Sequence, residues 1–345
     1  MLKSTMLSYV KILILSISLK NFTAMGRFSK VSADTITRRL PEANSSFQEM
    51  LKTALEFFKN SRELFLVIDD TFMHKKYSKL IEGTDDHFDS KIYRRVRSFK
   101  LITFGITDGK HILPLYCNFL FGKFLPDEQT PSKMKIIQKM ILHVQKVFSD
   151  KKIIVVADGA FPSVEMLSWC LEQNITAEFR IHNNRKVTFE NKHELVRNIE
   201  KLQPTGKQKC RTIKVIWHKL NLYLTAQKRI SKNGKESIVY QVSTYFAKPS
   251  KHVKIYKKRW PIEKMFRTTK QHLGLQECQS TKVETQLNHA AAVFLAYSYV
   301  VVQQKKKKFK TPEEALRAAK LKKECFFELC NPSNSSIRSN LLSTC

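Results

Sequence analysis

Long apolar runs are missing from this chain of 345 residues. The two nearest to one, residues 6–19 and 290–302, fall short of the ~20 residues that span a bilayer. The first follows Lys3 and has the outline of a signal peptide. However, Lys11 interrupts it and no small-residue cleavage site follows, so an amphipathic or buried helix is expected there. No membrane segment is expected. Paired cysteines are missing too. The seven, Cys117, Cys170, Cys210, Cys278, Cys325, Cys330 and Cys345, are scattered, and none stands at CxxC spacing. That argues against a zinc site and a disulfide scaffold and fits a reducing cytoplasm. Internal repeats are absent. Acidic residues are scarce: 30 Asp plus Glu face 61 Lys plus Arg, a formal net charge of +31. Such an excess implies a polyanionic partner, nucleic acid first and an anionic membrane surface second. The second would call for a long basic amphipathic helix with aromatic anchors, which the sequence does not offer.

What is present reads as a mixed α/β protein. Residues 8–58 have helical character. Within them, residues 23–28, a turn at 29–32 and residues 33–40 have a helix-turn-helix outline, with Ser32 as N-cap and Ala24, Val31 and Ile36 between the helices. Arg38 and Arg39 would sit near the end of the second helix, the one that enters the major groove in such modules. Residues 64–68, Leu-Phe-Leu-Val-Ile, form a short unbroken apolar run, expected to be a strand buried on both faces. Residues 100–106 and 111–120 are strand-like around an Asp108-Gly109 turn. Residues 132–148 and 164–173 have helical patterning, and residues 153–157 and 175–181 read as strands. Residues 185–248 turn β-rich and basic, with a hairpin expected at Asn233-Gly234. Helical patterning returns at 251, with helices over 260–273 and 283–304. Pro261 would stand in the first turn of the former and Gly274 at its C-cap.

Three carboxylates stand out. Asp69 and Asp158 each follow an apolar strand, and Glu263 lies in the first turn of a helix. Singly, each is as well explained as a turn residue or a helix-dipole partner. Together they form a set of hard oxygen ligands delivered by three elements, which suits Mg²⁺ or Mn²⁺. A pair of such ions can activate a nucleophile and stabilise a leaving oxygen, and beside so basic a surface the substrate would be a phosphodiester. Glu263, Arg267 and Lys270 fall on one helical face, with Arg259 a turn earlier and Ile262, Met265, Phe266 and Leu273 opposite. Asp69 and Asp70 are adjacent, so on a strand only one of them can reach such a site.

The spacing Tyr-x2-Arg-x3-Glu-x6-Lys, filled by Tyr256, Arg259, Glu263 and Lys270, resembles the YREK signature of DDE transposases of the insertion-sequence-four type. Val67-Ile68-Asp69-Asp70-Thr71 resembles that family's first Asp-x-Thr motif, which favours Asp69 over Asp70. Val155-Val156-Ala157-Asp158-Gly159-Ala160-Phe161 resembles the second, and the segments around Glu263 and Lys270 the third. The resemblance runs from about residue 64 to residue 304. It implies an RNase H-like mixed-sheet core with a β-rich insertion between Asp158 and Glu263. It further implies that Asp69, Asp158 and Glu263 bind two Mg²⁺ ions, for which Mn²⁺ can substitute, and that Tyr256, Arg259 and Lys270 contact phosphates at the transposon end. Trp217 is a candidate for stacking a flipped base, with a packed core tryptophan as the equal alternative.

The expected organisation is an N-terminal helical, DNA-binding region over 1–60, a core over 61–184, the insertion over 185–250, the rest of the core over 251–304 and a basic helical tail over 305–345. The expected activity is metal-dependent cleavage and strand transfer at the ends of a bacterial insertion sequence, by a homodimer on nucleoid DNA in the cytoplasm. The alternatives are an RNase H-like nuclease without strand transfer and a catalytically inert DNA-binding derivative.

Overall fold

The computed structural model describes residues 2–16, 21–30, 32–38, 40–76, 80–89, 92–121, 132–231 and 233–321. The chain opens with α1 (Leu2–Leu15), α2 (Phe22–Ser29), α3 (Ala33–Arg38) and α4 (Ala43–Phe57). Four strands follow: β1 (Glu63–His74), β2 (Asp85–Asp89), β3 (Arg94–Thr107) and β4 (Ile112–Leu120). Next come α5 (Lys133–Val147), β5 (Lys152–Ala157), α6 (Val164–Glu172) and β6 (Ala177–Ile181). The β-rich segment supplies β7 (Lys186–Phe189), β8 (Lys192–Leu195), β9 (Cys210–Trp217), β10 (Leu220–Ile230) and β11 (Glu236–Ser243). The described chain closes with α7 (Pro249–Lys257), α8 (Pro261–His272), α9 (Val283–Lys306) and α10 (Pro312–Leu321).

One sheet runs through the molecule. Strand β3 lies antiparallel between β1 and β4, and β1, β5 and β6 are parallel. This is the RNase H-like arrangement. It arises because the apolar runs of β1 and β5 can both be covered on two faces, as parallel strands require. Leu64, Leu66 and Ile68 face the main core, whereas Phe65 joins Ile154, Val156, Ile255 and Tyr256 in a smaller cluster under α7. The β-rich segment continues the same sheet rather than standing apart from it. Strand β11 pairs antiparallel with β6, and β10, β9, β7 and β8 extend the sheet in that order.

Several local expectations need correction. Asp69 is not at the end of its strand: β1 runs on to His74, because β3 keeps pairing with it as far as Ser98. Only the parallel partner stops, at Ile68 opposite Ala157. Within the β-rich segment, β9 and β10 form a hairpin with a turn at His218-Lys219 that the sequence did not announce. A second turn, at Glu190-Asn191, joins β7 to β8. All four turn residues have positive φ, between 46° and 69°, the geometry of the tight hairpin turns that match strand twist. Strand β2, Asp-Asp-His-Phe-Asp, was unread because its charges mask any alternation; charge on a short outer strand discourages edge-to-edge pairing.

In the N-terminal region, Ser32 does cap α3, its hydroxyl accepting from the Thr35 amide at 3.0 Å. The contact between α2 and α3 is filled by Met25 and Ile36, with Ala24 only half-buried. Val31 and Arg39 lie outside the described residues, as does the tail beyond 321.

Helix α9 is buried along most of its length, with α1, α4, α8 and α10 around it. Its one histidine, His289, is fully enclosed. The Tyr9 hydroxyl donates to Nδ1 at 2.7 Å, and Nε2 donates to the Gly274 carbonyl at 2.8 Å. Burial pushes the imidazole down to about 4, so it is neutral and satisfied at both nitrogens. Tyr9→Phe removes one donor and leaves a buried lone pair unpaired. A loss of about 1–3 kcal/mol is expected from urea unfolding; an unchanged midpoint would mean that this bond does not help to dock α1.

Candidate active site

The last paired residues of β1 and β5 are Ile68 and Ala157, so Asp69 and Asp158 leave the parallel ladder side by side. Asp69 stays in β1 and is almost enclosed, with its side chain 12% exposed. Its Oδ1 accepts from the Asp70 amide at 2.9 Å and its Oδ2 from Arg259 Nη1 at 2.6 Å. Asp158 begins a tight turn, and its Oδ1 accepts from the Ala160 amide at 2.9 Å. Burial, the largest influence, pushes the Asp69 carboxyl up to about 7; Arg259 opposes this, and the charges of Asp158 and Asp70 add to it. An aspartate that resists ionisation beside a second aspartate marks a place where added positive charge is favoured.

Glu263 arrives from the other side. Helix α7 ends at Lys257, a turn follows, and Pro261 starts α8, where its missing N–H is no loss. Glu263 therefore stands in the first turn of α8, and its Oε1 accepts from Arg259 Nη2. The guanidinium of Arg259 thus bridges Asp69 and Glu263, which belong to elements far apart in sequence. Tyr256 is buried in the cluster under α7, with the Arg259 guanidinium 5.8 Å from its ring centre. Burial raises its hydroxyl; the charges of Arg259 and Arg180 oppose that, and Asp158 adds to it.

The remaining expected residues are placed as follows. Lys270 donates to the Phe72 carbonyl at 2.8 Å, tying α8 to β1 just beyond Asp69. Arg267 is exposed, while Ile262, Met265, Phe266 and Leu273 are buried as the helical pattern predicts. Asp70 points away from Asp69, to Lys100 at 3.2 Å and Lys133 at 4.0 Å. Trp217 is buried and lines a cleft with Pro162, Asn184, Arg185, Lys186 and His218. Arg38 pairs with Asp34 at 2.5 Å, both largely exposed.

Three residues near the site were not among those expected from the sequence. Lys133, at the start of α5, donates to the Ala160 carbonyl at 3.3 Å and stands 4.0 Å over the Phe161 ring, bracing the turn after Asp158. Arg180 is the exposed polar residue of an otherwise buried strand, β6, and that one break in the apolar pattern was legible. His182 packs against Gly159, where a Cβ would come within 3.1 Å of its Nε2.

By donor chemistry Asp69, Asp158 and Glu263 suit a hard divalent ion. Among the described residues, however, no three acidic, histidine or cysteine side chains are grouped closely enough to hold one. The cation standing between Asp69 and Glu263 is Arg259.

The family model described as a transposase DDE domain matches residues 60–299. No curated protein matches the chain. Among solved structures, it is similar to piggyBac transposase in a synaptic complex with hairpin DNA, with 12% identity over 97% of this chain and 74% of that one and a TM-score of 0.54. The NurA nuclease from Sulfolobus solfataricus has 12% identity over 56% of this chain and 72% of that one, with a TM-score of 0.28. The Mos1 strand transfer complex has 12% identity over 45% and 52%, with a TM-score of 0.19.

Proposed function

The chain belongs to the DDE transposase family, enzymes that cut DNA and join strands, and from that premise we propose that it mobilises a bacterial insertion sequence of the insertion-sequence-four type. The observation that carries the reading is the meeting of Asp69 and Asp158 at the end of the β1–β5 ladder, with Glu263 linked to Asp69 through one arginine. Asp69, Asp158 and Glu263 would hold two Mg²⁺ ions, or Mn²⁺ in their place. When bound, these ions supply activation of the attacking oxygen and stabilisation of the leaving one.

The chain's own residues position the DNA. Arg259 and Tyr256 at the α7–α8 turn, with Arg267 and Lys270 further along α8, contact phosphates at the transposon end. Water attacks the phosphodiester at the element's end, the P–O3′ bond breaks and a 3′-hydroxyl is freed. That hydroxyl then attacks a second phosphodiester, forming one P–O bond as another breaks. Recognition of the ends falls to the N-terminal region, through Arg38 and Arg39, and to the basic strands around Trp217. Two ends must be held together, so the working unit is a homodimer on nucleoid DNA.

The test is incubation of the purified protein with a DNA fragment carrying the element's ends, in Mg²⁺, Mn²⁺ or a chelator. Divalent-dependent nicks at the ends together with joined products are expected. Nicks without joined products would leave a nuclease, and tight binding without cleavage in either metal would leave a DNA-binding derivative.

A further inference from the structure

Arg259 makes two demands on one side chain. Its guanidinium holds Asp69 Oδ2 at 2.6 Å and the Glu263 carboxylate with its other Nη, and it is only 14% exposed. Those oxygens are the ones a divalent ion would take on the reading above. A guanidinium seated between them competes with a metal ion for those oxygens, since both are positive. Yet one guanidinium does not balance three carboxylates, Asp69, Asp158 and Glu263. Lys100 and Lys133 are engaged with Asp70 instead. The planar fork of arginine fits carboxylate and phosphate equally well. Arg259 also sits in the turn between α7 and α8 rather than inside a helix, so it can re-aim without unwinding either.

We propose that Arg259 is an exchangeable counter-ion that couples the metal site to DNA. Without DNA it occupies the cation position between Asp69 and Glu263. A DNA phosphate draws the guanidinium away, and the two carboxylates pass to divalent ions. Metal and DNA then strengthen each other's binding, by the same factor in both directions. The enzyme is thereby kept from assembling a cutting site before DNA is in place. This inference rests on the assignment of Asp69 and Glu263 as metal ligands.

Mn²⁺ binding to the full chain tests it, with free Mn²⁺ followed by electron paramagnetic resonance at fixed ionic strength. Samples are taken with and without a plasmid-derived duplex oligonucleotide, and Asp69→Asn is the control. Arg259→Gln is expected to bind Mn²⁺ about tenfold more tightly than the wild type without DNA, a difference of about 1.4 kcal/mol. Added duplex should tighten Mn²⁺ binding to the wild type by a similar factor and leave the variant unchanged. Lys152→Gln removes a charge at the opposite end of the β1–β5 ladder, where it pairs with Glu63, and it should retain the DNA response. Circular dichroism checks folding. If Arg259→Gln does not fold, Arg259→Lys takes its place, because an ammonium keeps the charge without the bidentate bridge. The lysine variant should bind Mn²⁺ more tightly than the wild type and respond less to DNA.

Wild-type Mn²⁺ binding that Asp69→Asn abolishes, with no gain in the Arg259 variants, would overturn the exchange and leave the metal assignment standing. Equal coupling to DNA in wild type and variant would also overturn it. No Mn²⁺ bound by any of the proteins, with or without DNA, would remove the metal assignment and the exchange together.

Discussion

Asp69→Asn is expected to lower DNA cleavage in Mg²⁺ by roughly a thousandfold or more, about 4 kcal/mol of transition-state stabilisation, and at the same time to remove a pH-dependent weakness of the fold. The first effect follows from its place beside Asp158 at the end of the β1–β5 ladder: an amide is a far poorer ligand for a hard divalent ion than a carboxylate. The second follows from burial. The folded state holds the Asp69 carboxyl near 7, against an ordinary value of 3.8. Between those values the folded protein binds a proton that the unfolded chain has released, so stability falls as pH rises across that window. The full difference corresponds to at most about 4 kcal/mol. Asparagine cannot ionise and removes this contribution. Urea unfolding in chelator should therefore show wild type losing more stability than the variant between pH 4 and 7. Arg259 keeps Glu263 as a partner in the variant, so it is not left wholly unpaired. A wild-type cleavage rate in Asp69→Asn would remove this residue from the site. Parallel pH profiles would mean that its carboxyl is not held up by burial.

The parts of the fold that could be read from sequence are those set by local patterning. The unbroken apolar runs before Asp69 and Asp158 identify the parallel pair, and the spacing of Glu263 from Arg259 makes their ion pair legible as an i,i+4 contact. The bond from Arg259 to Asp69 is of another kind. It joins residues 190 positions apart, and it exists only because β3 holds β1 in the sheet past Ile68. No window of sequence contains that cause. The same limit hid the turns at Glu190-Asn191 and His218-Lys219, where three of the four residues are poor hairpin formers by local preference and the neighbouring strands impose the left-handed backbone. Lys133 was also out of reach: it opens an ordinary amphipathic helix, and only the packing of α5 brings it to Ala160 and Phe161.

The largest effect on stability is expected at a pair outside the catalytic cluster. Glu178 on β6 and His252 on α7 are fully buried, with Glu178 Oε2 and His252 Nδ1 2.6 Å apart. The Ala247 amide donates to His252 Nε2 at 3.1 Å, which leaves the ring proton on Nδ1, donating to Glu178. The Tyr245 hydroxyl donates to the same carboxylate oxygen at 3.1 Å, while Oε1 is buried without a partner. Burial raises the Glu178 carboxyl, and the bonds from His252 and Tyr245 hold it back. His252→Ala removes the stronger restraint and strands a carboxylate in the core. A loss of about 3–5 kcal/mol is expected, a large part of the ~5–15 kcal/mol that holds a typical domain folded. The sign of its pH dependence is fixed. With its folded value raised further above the unfolded one, Glu178 costs more as pH climbs, so the variant should fall further behind wild type at pH 8 than at pH 5. Glu178→Gln in the same background removes the buried charge and should restore part of the loss, a non-additivity read from the four unfolding midpoints. Because His252 shares its helical face with Tyr256 one turn on, the single variant should also weaken DNA binding while the double variant recovers it. A His252→Ala protein within 1 kcal/mol of wild type at both pH values would show that Glu178 is neutral in the fold and that α7 is held by its apolar contacts alone.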